Sequence, residues 1–162
     1  MNRHRVWKSP VGELTVVIDP QGRLAGVYLE GQKHWPAPEV LGERDDSAGA
    51  DVVAQLADYF AGRRVAFDIE FAPRGTEFQE SVWAALRAIP YGRTSSYGEL
   101  AEMIGRPAAS RAVGAATGRN PWSIVVPCHR LVGRGGALTG YAGGIAVKER
   151  LLAMERGQAA IS

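Results

Sequence analysis

The sequence predicts an α/β N-terminal domain, built as a small antiparallel sheet plus a helix, followed by a mostly α C-terminal domain with a winged-helix-like helix-turn-helix. Three observations carry this prediction. Residues 5–30 alternate with the period of strands between short Pro/Gly turns. Past Arg74-Gly75 the apolar residues change to helical spacing behind a capping signal. Two short helical runs then meet at Gly105. The expected domains are residues 1–74 and 75–162.

In chain order, Val6-Trp7 precedes a Ser9-Pro10 break, and Leu14 to Ile18 runs into Asp19-Pro20-Gln21-Gly22. Leu24 to Leu29 follows, completing an antiparallel meander. Residues 31–50 are rich in Gly, Pro, Asp and Glu without periodicity and read as a surface loop; His34 and Trp35 there read as incidental. Val52, Val53, Leu56, Tyr59 and Phe60 sit at helical spacing ahead of Gly62, which predicts a helix over about 50–61 packed on the sheet. A connector to Arg74 carries the alternation Val65, Phe67, Ile69, Phe71.

Thr76 with Gln79 forms a capping box for a helix that buries Phe78, Val82, Trp83, Leu86 and Ile89 and ends at Pro90. Ser95 or Ser96 caps the next helix, through Tyr97, Leu100, Ala101 and Ile104. Pro107 suits the first turn of a third, over Ala108 to Ala116. The third helix is poor in bulky side chains, which lets its backbone approach a partner closely. A helical hairpin in a core fits this pattern as well as nucleic-acid binding does, and Arg111, a long cation on a flat face, tips the reading to the latter. Val147 to Arg156 forms a last helix with Leu151, Leu152 and Met154 inward, stopped by Gly157, and residues 158–162 fray.

Composition is that of one ordinary globular chain: 162 residues, 46% hydrophobic and 22% charged. No apolar run approaches the ~20 residues that span a bilayer. The basic start has no apolar segment behind it, so it is not a secretory signal, and a cytoplasmic, reducing setting is expected. The net charge of +2 hides an asymmetry. Residues 1–75 hold nine Lys/Arg against eleven Asp/Glu, and residues 76–162 hold ten against six. Between Arg87 and Arg134 seven arginines face two acids, a modest basic patch compatible with a phosphate backbone.

Cys128 is the one cysteine, which excludes an internal disulfide and an all-thiolate zinc site. Ile124-Val125-Val126 reads as a buried strand or extended segment that delivers Pro127-Cys128-His129-Arg130 to a fixed place, since Pro127 blocks further pairing. A thiol beside an imidazole and a guanidinium is either inert or the point of the protein, because positive charge and histidine favour the reactive thiolate.

Pro127-Cys128-His129-Arg130 recurs with Arg111-Ala112-Val113-Gly114, Asn120-Pro121, Ser96-Tyr97, Tyr141-Ala142-Gly143-Gly144 and Lys148-Glu149 in one order and spacing. In these motifs the sequence resembles the O6-alkylguanine-DNA alkyltransferase family, almost without gaps from Thr76 to Glu155. The N-terminal half resembles it only in size and pattern. The resemblance implies a protein that docks a helix-turn-helix in the minor groove of duplex DNA with little sequence preference. It flips out an O6-alkylated guanine and moves the alkyl group irreversibly to its cysteine, needing no cofactor or metal. It further implies a monomer, leaves cooperative binding along DNA open, and gives no membrane role.

Carried over by the resemblance, Cys128 is the alkyl acceptor and His129 relays its proton, through a water, towards Glu155. Asn120 holds the turn that presents the strand bearing Cys128. Tyr97 reaches the flipped nucleotide, and the carbonyls of Cys128 and Leu131 accept from the exocyclic amine. Tyr141, Ala142, Gly143 and Lys148 line the pocket. Ser96, Ala109, Ser110, Arg111 and Ala112 face DNA, with Arg111 filling the hole in the base stack. Without the resemblance, Glu155 beside Arg156 reads as a solvated charge. Some members bind zinc through N-terminal cysteines and histidines, which this chain lacks the cysteines to do. Trp122 and Ser123, expected on the approach to the site, vary in the family. The rival readings are a module that binds the lesion without reacting and, behind it, a Cys-dependent hydrolase.

Overall fold

The computed structural model describes residues 1–157, so the fraying expected of 158–162 lies outside the described residues. The chain forms two compact units. Among the described residues, one comprises 1–73 with Pro121–Val125, the other 74–120 with 126–157.

In the first unit β1 (Arg3–Ser9), β2 (Gly12–Ile18) and β3 (Leu24–Leu29) form the expected meander, with Val6 opposite Thr15 and Leu14 opposite Leu29. The sheet is nevertheless mixed. Within the stretch expected to be loop lie α1 (Pro38–Leu41) and β4 (Glu43–Arg44), and β4 pairs parallel to β1, giving the order β3-β2-β1-β4. Long-range bonds make this strand: the Glu43 amide donates to the Asn2 carbonyl at 3.0 Å and Asn2 Nδ2 to the Val40 carbonyl at 2.7 Å. Gly42, at φ 66°, lies so close to Asn2 that a Cβ would strike its carbonyl, so only glycine fits.

α2 (Ala50–Phe60) buries Val52, Leu56, Tyr59 and Phe60, leaves Val53 half-buried, and meets β1 where the Phe60 and Trp7 rings lie 6.2 Å apart. The free edge of β3 is covered on both sides of Leu24. The Ala72 amide and Trp122 Nε1 both donate to the Leu24 carbonyl, at 2.9 and 2.8 Å, and Phe71 packs edge-on against Trp122. Trp122 is buried structure of this unit, and Ser123, also buried, donates its amide to the Val27 carbonyl. Residues 123–126 are a turn, not the expected strand. Ile124 sits at φ 73°, a rare conformation for a β-branched residue, which the surrounding packing imposes.

The second unit holds α3 (Glu77–Arg87), α4 (Tyr97–Met103), α5 (Ser110–Gly118) and α6 (Ile145–Glu155). The capping box of Thr76 and Gln79 is formed, and Ser96 rather than Ser95 caps α4 in a second box with Glu99. Trp83 Nε1 donates to the Ala116 carbonyl at 2.8 Å and fixes α3 to α5. Phe78 is only half-buried, with Arg106 over its ring. Pro107 lies in the turn before α5 rather than in its first turn, so the helix starts at Ser110, two residues late. β5 (Ser95–Ser96) and β6 (Leu131–Val132) pair parallel, an element the helical pattern did not announce. Among the described residues no helix is long and apolar enough to cross a membrane.

Candidate active site

Cys128 opens a single 3-10 turn, Cys128–Arg130, rather than riding on a strand. The turn is pinned from both sides. Asn120, two residues past α5, donates Nδ2 to the Val126 carbonyl at 2.9 Å, and the Cys128 amide reaches the same carbonyl at 2.8 Å. Beyond the turn, Leu131 enters β6 and is paired with Ser95. Asn120 thus fixes the backbone just before the thiol, and its side chain also hydrogen-bonds the Cys128 sulfur.

That sulfur is free and only 6% exposed. Burial pushes the thiol's pKa up, against the opposing pull of the Asn120 hydrogen bond, the Lys148 ammonium and the amides of Cys128 and His129. At rest the group is a thiol, and the site holds the parts that would stabilise a thiolate.

Behind it lies a buried cluster of charge. His129 is wholly buried and its Nε2 lies 2.7 Å from Glu155 Oε2. Arg130 grips the same carboxylate through Nε to Oε1 at 2.7 Å and through its NH2 group to Oε2 at 3.1 Å, and gives its other amino group to the Ile89 carbonyl at 2.7 Å. Burial alone would raise the Glu155 pKa. Hydrogen bonds and charge from His129 and Arg130 outweigh it and bring the value to about 2. Glu155 is therefore ionised, and it is not the solvated charge its neighbour Arg156 suggests.

For His129 burial lowers the pKa, Glu155 pulls it back up, and the Arg130 and Lys148 charges lower it again, the balance lying below the ordinary value. A neutral ring donating Nε2–H to a carboxylate already neutralised by Arg130 satisfies every contact. This tautomer leaves the Nδ1 lone pair available, and Nδ1 is a buried nitrogen with no hydrogen-bond partner among the described residues. No water stands between His129 and Glu155, which touch directly; any water in a relay belongs on the Nδ1 side.

Lys148 is buried and donates Nζ to the Leu131 carbonyl at 2.6 Å and to the Thr139 carbonyl at 3.3 Å. The Leu131 carbonyl, expected to serve a base, thus already accepts a hydrogen bond. Tyr97 and Thr139 share a hydroxyl–hydroxyl bond of 2.7 Å. The Tyr141 hydroxyl is buried without a partner among the described residues, and its ring stands edge-on to His129, the centroids 6.5 Å apart. Ala142 and Gly143 follow it, half-buried.

The expected DNA-facing residues lie at the starts of α4 and α5. Ala109, Ser110, Arg111 and Ala112 form the start of α5, whose N-terminus has no side-chain cap, with Arg111 and Ala112 exposed. The Ser96 oxygen is engaged in capping α4, accepting from the Glu99 amide at 3.1 Å. Arg130 and Thr139 were missed as site residues: Arg130 stands in the Pro-Cys-His-Arg motif and so had a signal, whereas Thr139 had none. Among the described residues no three His, Cys, Asp or Glu gather to hold a metal ion.

Comparisons with known proteins place the whole chain in one family. Residues 77–157 match the model of the 6-O-methylguanine DNA methyltransferase DNA-binding domain, and residues 2–73 that of its ribonuclease-like domain. A methylated-DNA–protein-cysteine methyltransferase of Methanosarcina acetivorans is 46% identical over 152 residues, covering 94% of this chain and 97% of the relative. One from Mycolicibacterium paratuberculosis is 50% identical over 157 residues, covering 96% and 93%. The crystal structure of Mycobacterium tuberculosis OGT in complex with DNA superposes with a TM-score of 0.92 at 46% identity, covering 98% of this chain and 95% of that one. Since both halves match and nearly the whole length is shared, the chain belongs to the 6-O-methylguanine DNA methyltransferase family.

Proposed function

We propose that this protein reverses alkylation damage directly, taking the alkyl group from O6-alkylguanine in duplex DNA onto Cys128, once per molecule. The observation that carries the reading is the buried chain Cys128, His129, Glu155 and Arg130. In it a free buried thiol is followed by a histidine whose Nε2 is committed to Glu155 and whose Nδ1 has no hydrogen-bond partner among the described residues.

The Cys128 proton passes, through a water, to His129 Nδ1, and Glu155 stabilises the imidazolium that forms, while Arg130 keeps Glu155 ionised. The Asn120 hydrogen bond and the Lys148 charge favour the thiolate as it appears. Sulfur then attacks the alkyl carbon, the bond from that carbon to O6 breaks, and guanine leaves with the electron pair. Tyr97, freed from Thr139, donates to the leaving base. The carbonyls of Cys128 and Leu131 accept from its exocyclic amine, and Tyr141, Ala142 and Gly143 close around it. The thioether left on Cys128 is not cleaved by water under mild conditions, so turnover stops at one.

DNA enters through residues 75–162. The uncapped start of α5 offers amides to phosphate, Ser96 adds a polar contact, and the small side chains of Ala109, Ser110 and Ala112 allow close approach to the minor groove. Arg111 fills the gap left by the flipped base. Such contacts are blind to sequence, as a scanning repair protein acting as a monomer requires. A cytoplasmic, reducing setting keeps the sulfur as a thiol.

Incubation with duplex DNA containing O6-methylguanine should add the mass of one methyl group to the peptide holding Cys128. Complete repair with that peptide unmodified overturns the proposal. Cys128→Ala should still bind lesion DNA and transfer nothing.

A further inference from the structure

Trp7 faces α2, so Val6 and its partner across the strands, Thr15, face the opposite side of the sheet. There a cavity of about 420 Å³ is lined by Val6, Glu13, Thr15, Glu30, Gln32 and Trp35, a size suited to a small group. The Trp35 ring is 47% exposed, with Tyr28 against it at 5.9 Å between centroids. Glu13, near the start of β2, and Glu30, just past the end of β3, are neighbours across the strands, joined by a bond of 3.0 Å from the Glu30 amide to the Glu13 carbonyl. Like charges so placed repel. Neither makes an ion pair among the described residues, even though Lys8 lies across from Glu13 on β1. Thr15 at the floor is only 7% exposed, and its hydroxyl has no hydrogen-bond partner among the described residues. Gln32 is already committed, its Oε1 accepting from the Leu29 amide at 2.7 Å and its Nε2 donating to the Lys33 carbonyl.

We propose that this cavity receives an arginine side chain from an extended segment of a partner protein. An aromatic face, two unpaired carboxylates and a free hydroxyl acceptor are complementary to a guanidinium, which stacks on Trp35 while its fork of donors serves Glu13, Glu30 and Thr15 together. A lysine ammonium, a point charge without a face, uses these groups less well. The methylene stem lies along Val6. Open space around Gly31, where a side chain would stand, leaves room for the partner's main chain. The site is independent of Cys128 chemistry.

The test titrates the full-length protein with N-acetyl-arginine amide and with the peptide Gly-Gly-Arg-Gly-Gly. Tryptophan fluorescence and amide shifts of residues 13, 15 and 30–32 report binding. Saturable binding, tighter for the peptide and absent for the citrulline analogue, is expected. Glu13→Gln with Glu30→Gln should weaken it about fivefold or more, and the isosteric Thr15→Val about twofold. The glutamine pair relieves repulsion, so it should unfold no earlier than the parent, and alkyl transfer should be unchanged in every variant. No saturable shift, equal binding of citrulline or of N-acetyl-lysine amide, or indifference to the glutamine pair overturns the proposal. Equal affinity for the peptide and the capped amino acid overturns the partner-segment assignment.

Discussion

The two units bury opposite kinds of chemistry. The first is held by an apolar sheet, with β3 buried along its whole length and α2 sealing one face with Leu56, Tyr59 and Phe60. Three of its ion pairs, Arg3–Asp45, Arg44–Asp46 and Arg63–Asp58, stand at the surface, and the fourth, Arg23–Asp19, buries its carboxylate but leaves the guanidinium partly in solvent. The second buries Arg130, Glu155, His129 and Lys148 in its interior. An apolar core tolerates only small changes in volume, whereas a buried ionic core tolerates only changes that keep its charges paired. The second arrangement is costly to desolvate, and its place next to the single thiol is what the proposed alkyl transfer builds on.

The sharpest way to break the contrast is Glu155→Ala. It strands the Arg130 charge in the interior, and denaturant unfolding should show a loss of about 3–5 kcal/mol. Alkyl transfer should fall with it, because His129 loses the group that sets its tautomer. Leu56→Ala in the first unit should cost about 2–5 kcal/mol through the cavity it leaves, with a loss that does not depend on pH.

Acid probes both units, through Asp19 in the first, held low against burial by its bonds to the Arg23 and Gln21 amides and the Arg23 charge, and through Glu155 in the second. Glu155 has a folded pKa near 2, below its ordinary 4.5. A depressed carboxylate contributes stability that is full above the unfolded value and is lost as pH falls through the folded one. Stability should therefore drop by on the order of 2–3 kcal/mol between pH of about 5 and 2. Glu155→Gln should flatten that slope while Leu56→Ala keeps it. Thr76→Ala, which removes the cap of α3, should cost about 1 kcal/mol. Asp46→Ala, at an exposed pair, should stay within about 0.5 kcal/mol of the parent.

What the sequence disclosed follows the range of the forces involved. Local signals were legible: the Asp19 to Gly22 turn, the Thr76 and Gln79 capping box and the period of α2 all reside within a few residues. The two-residue strand β4 was not, because it exists through bonds to Asn2 and to His4 of β1 some forty residues earlier. Ile124 to Val126 looked like a strand by composition, and tertiary packing turned it instead. In α6 the apolar spacing of Leu151, Leu152 and Met154 gave the buried side, yet Lys148 and Glu155 share it, since their partners Leu131 and Arg130 come from distant chain. The resemblance, not the pattern, pointed to Glu155. The pairing of Tyr97 with Thr139 left no trace in either.

Gly92, in the turn after α3, has φ 81° and sits so near the end of α6 that a Cβ there would come within 3.1 Å of the Glu155 carbonyl oxygen. The acid's backbone thus rests on bare main chain. A single methyl at position 92 would nudge the carboxylate's mooring without altering any ionisable group, which makes that position a mechanical adjustment screw for the buried His129–Glu155 contact.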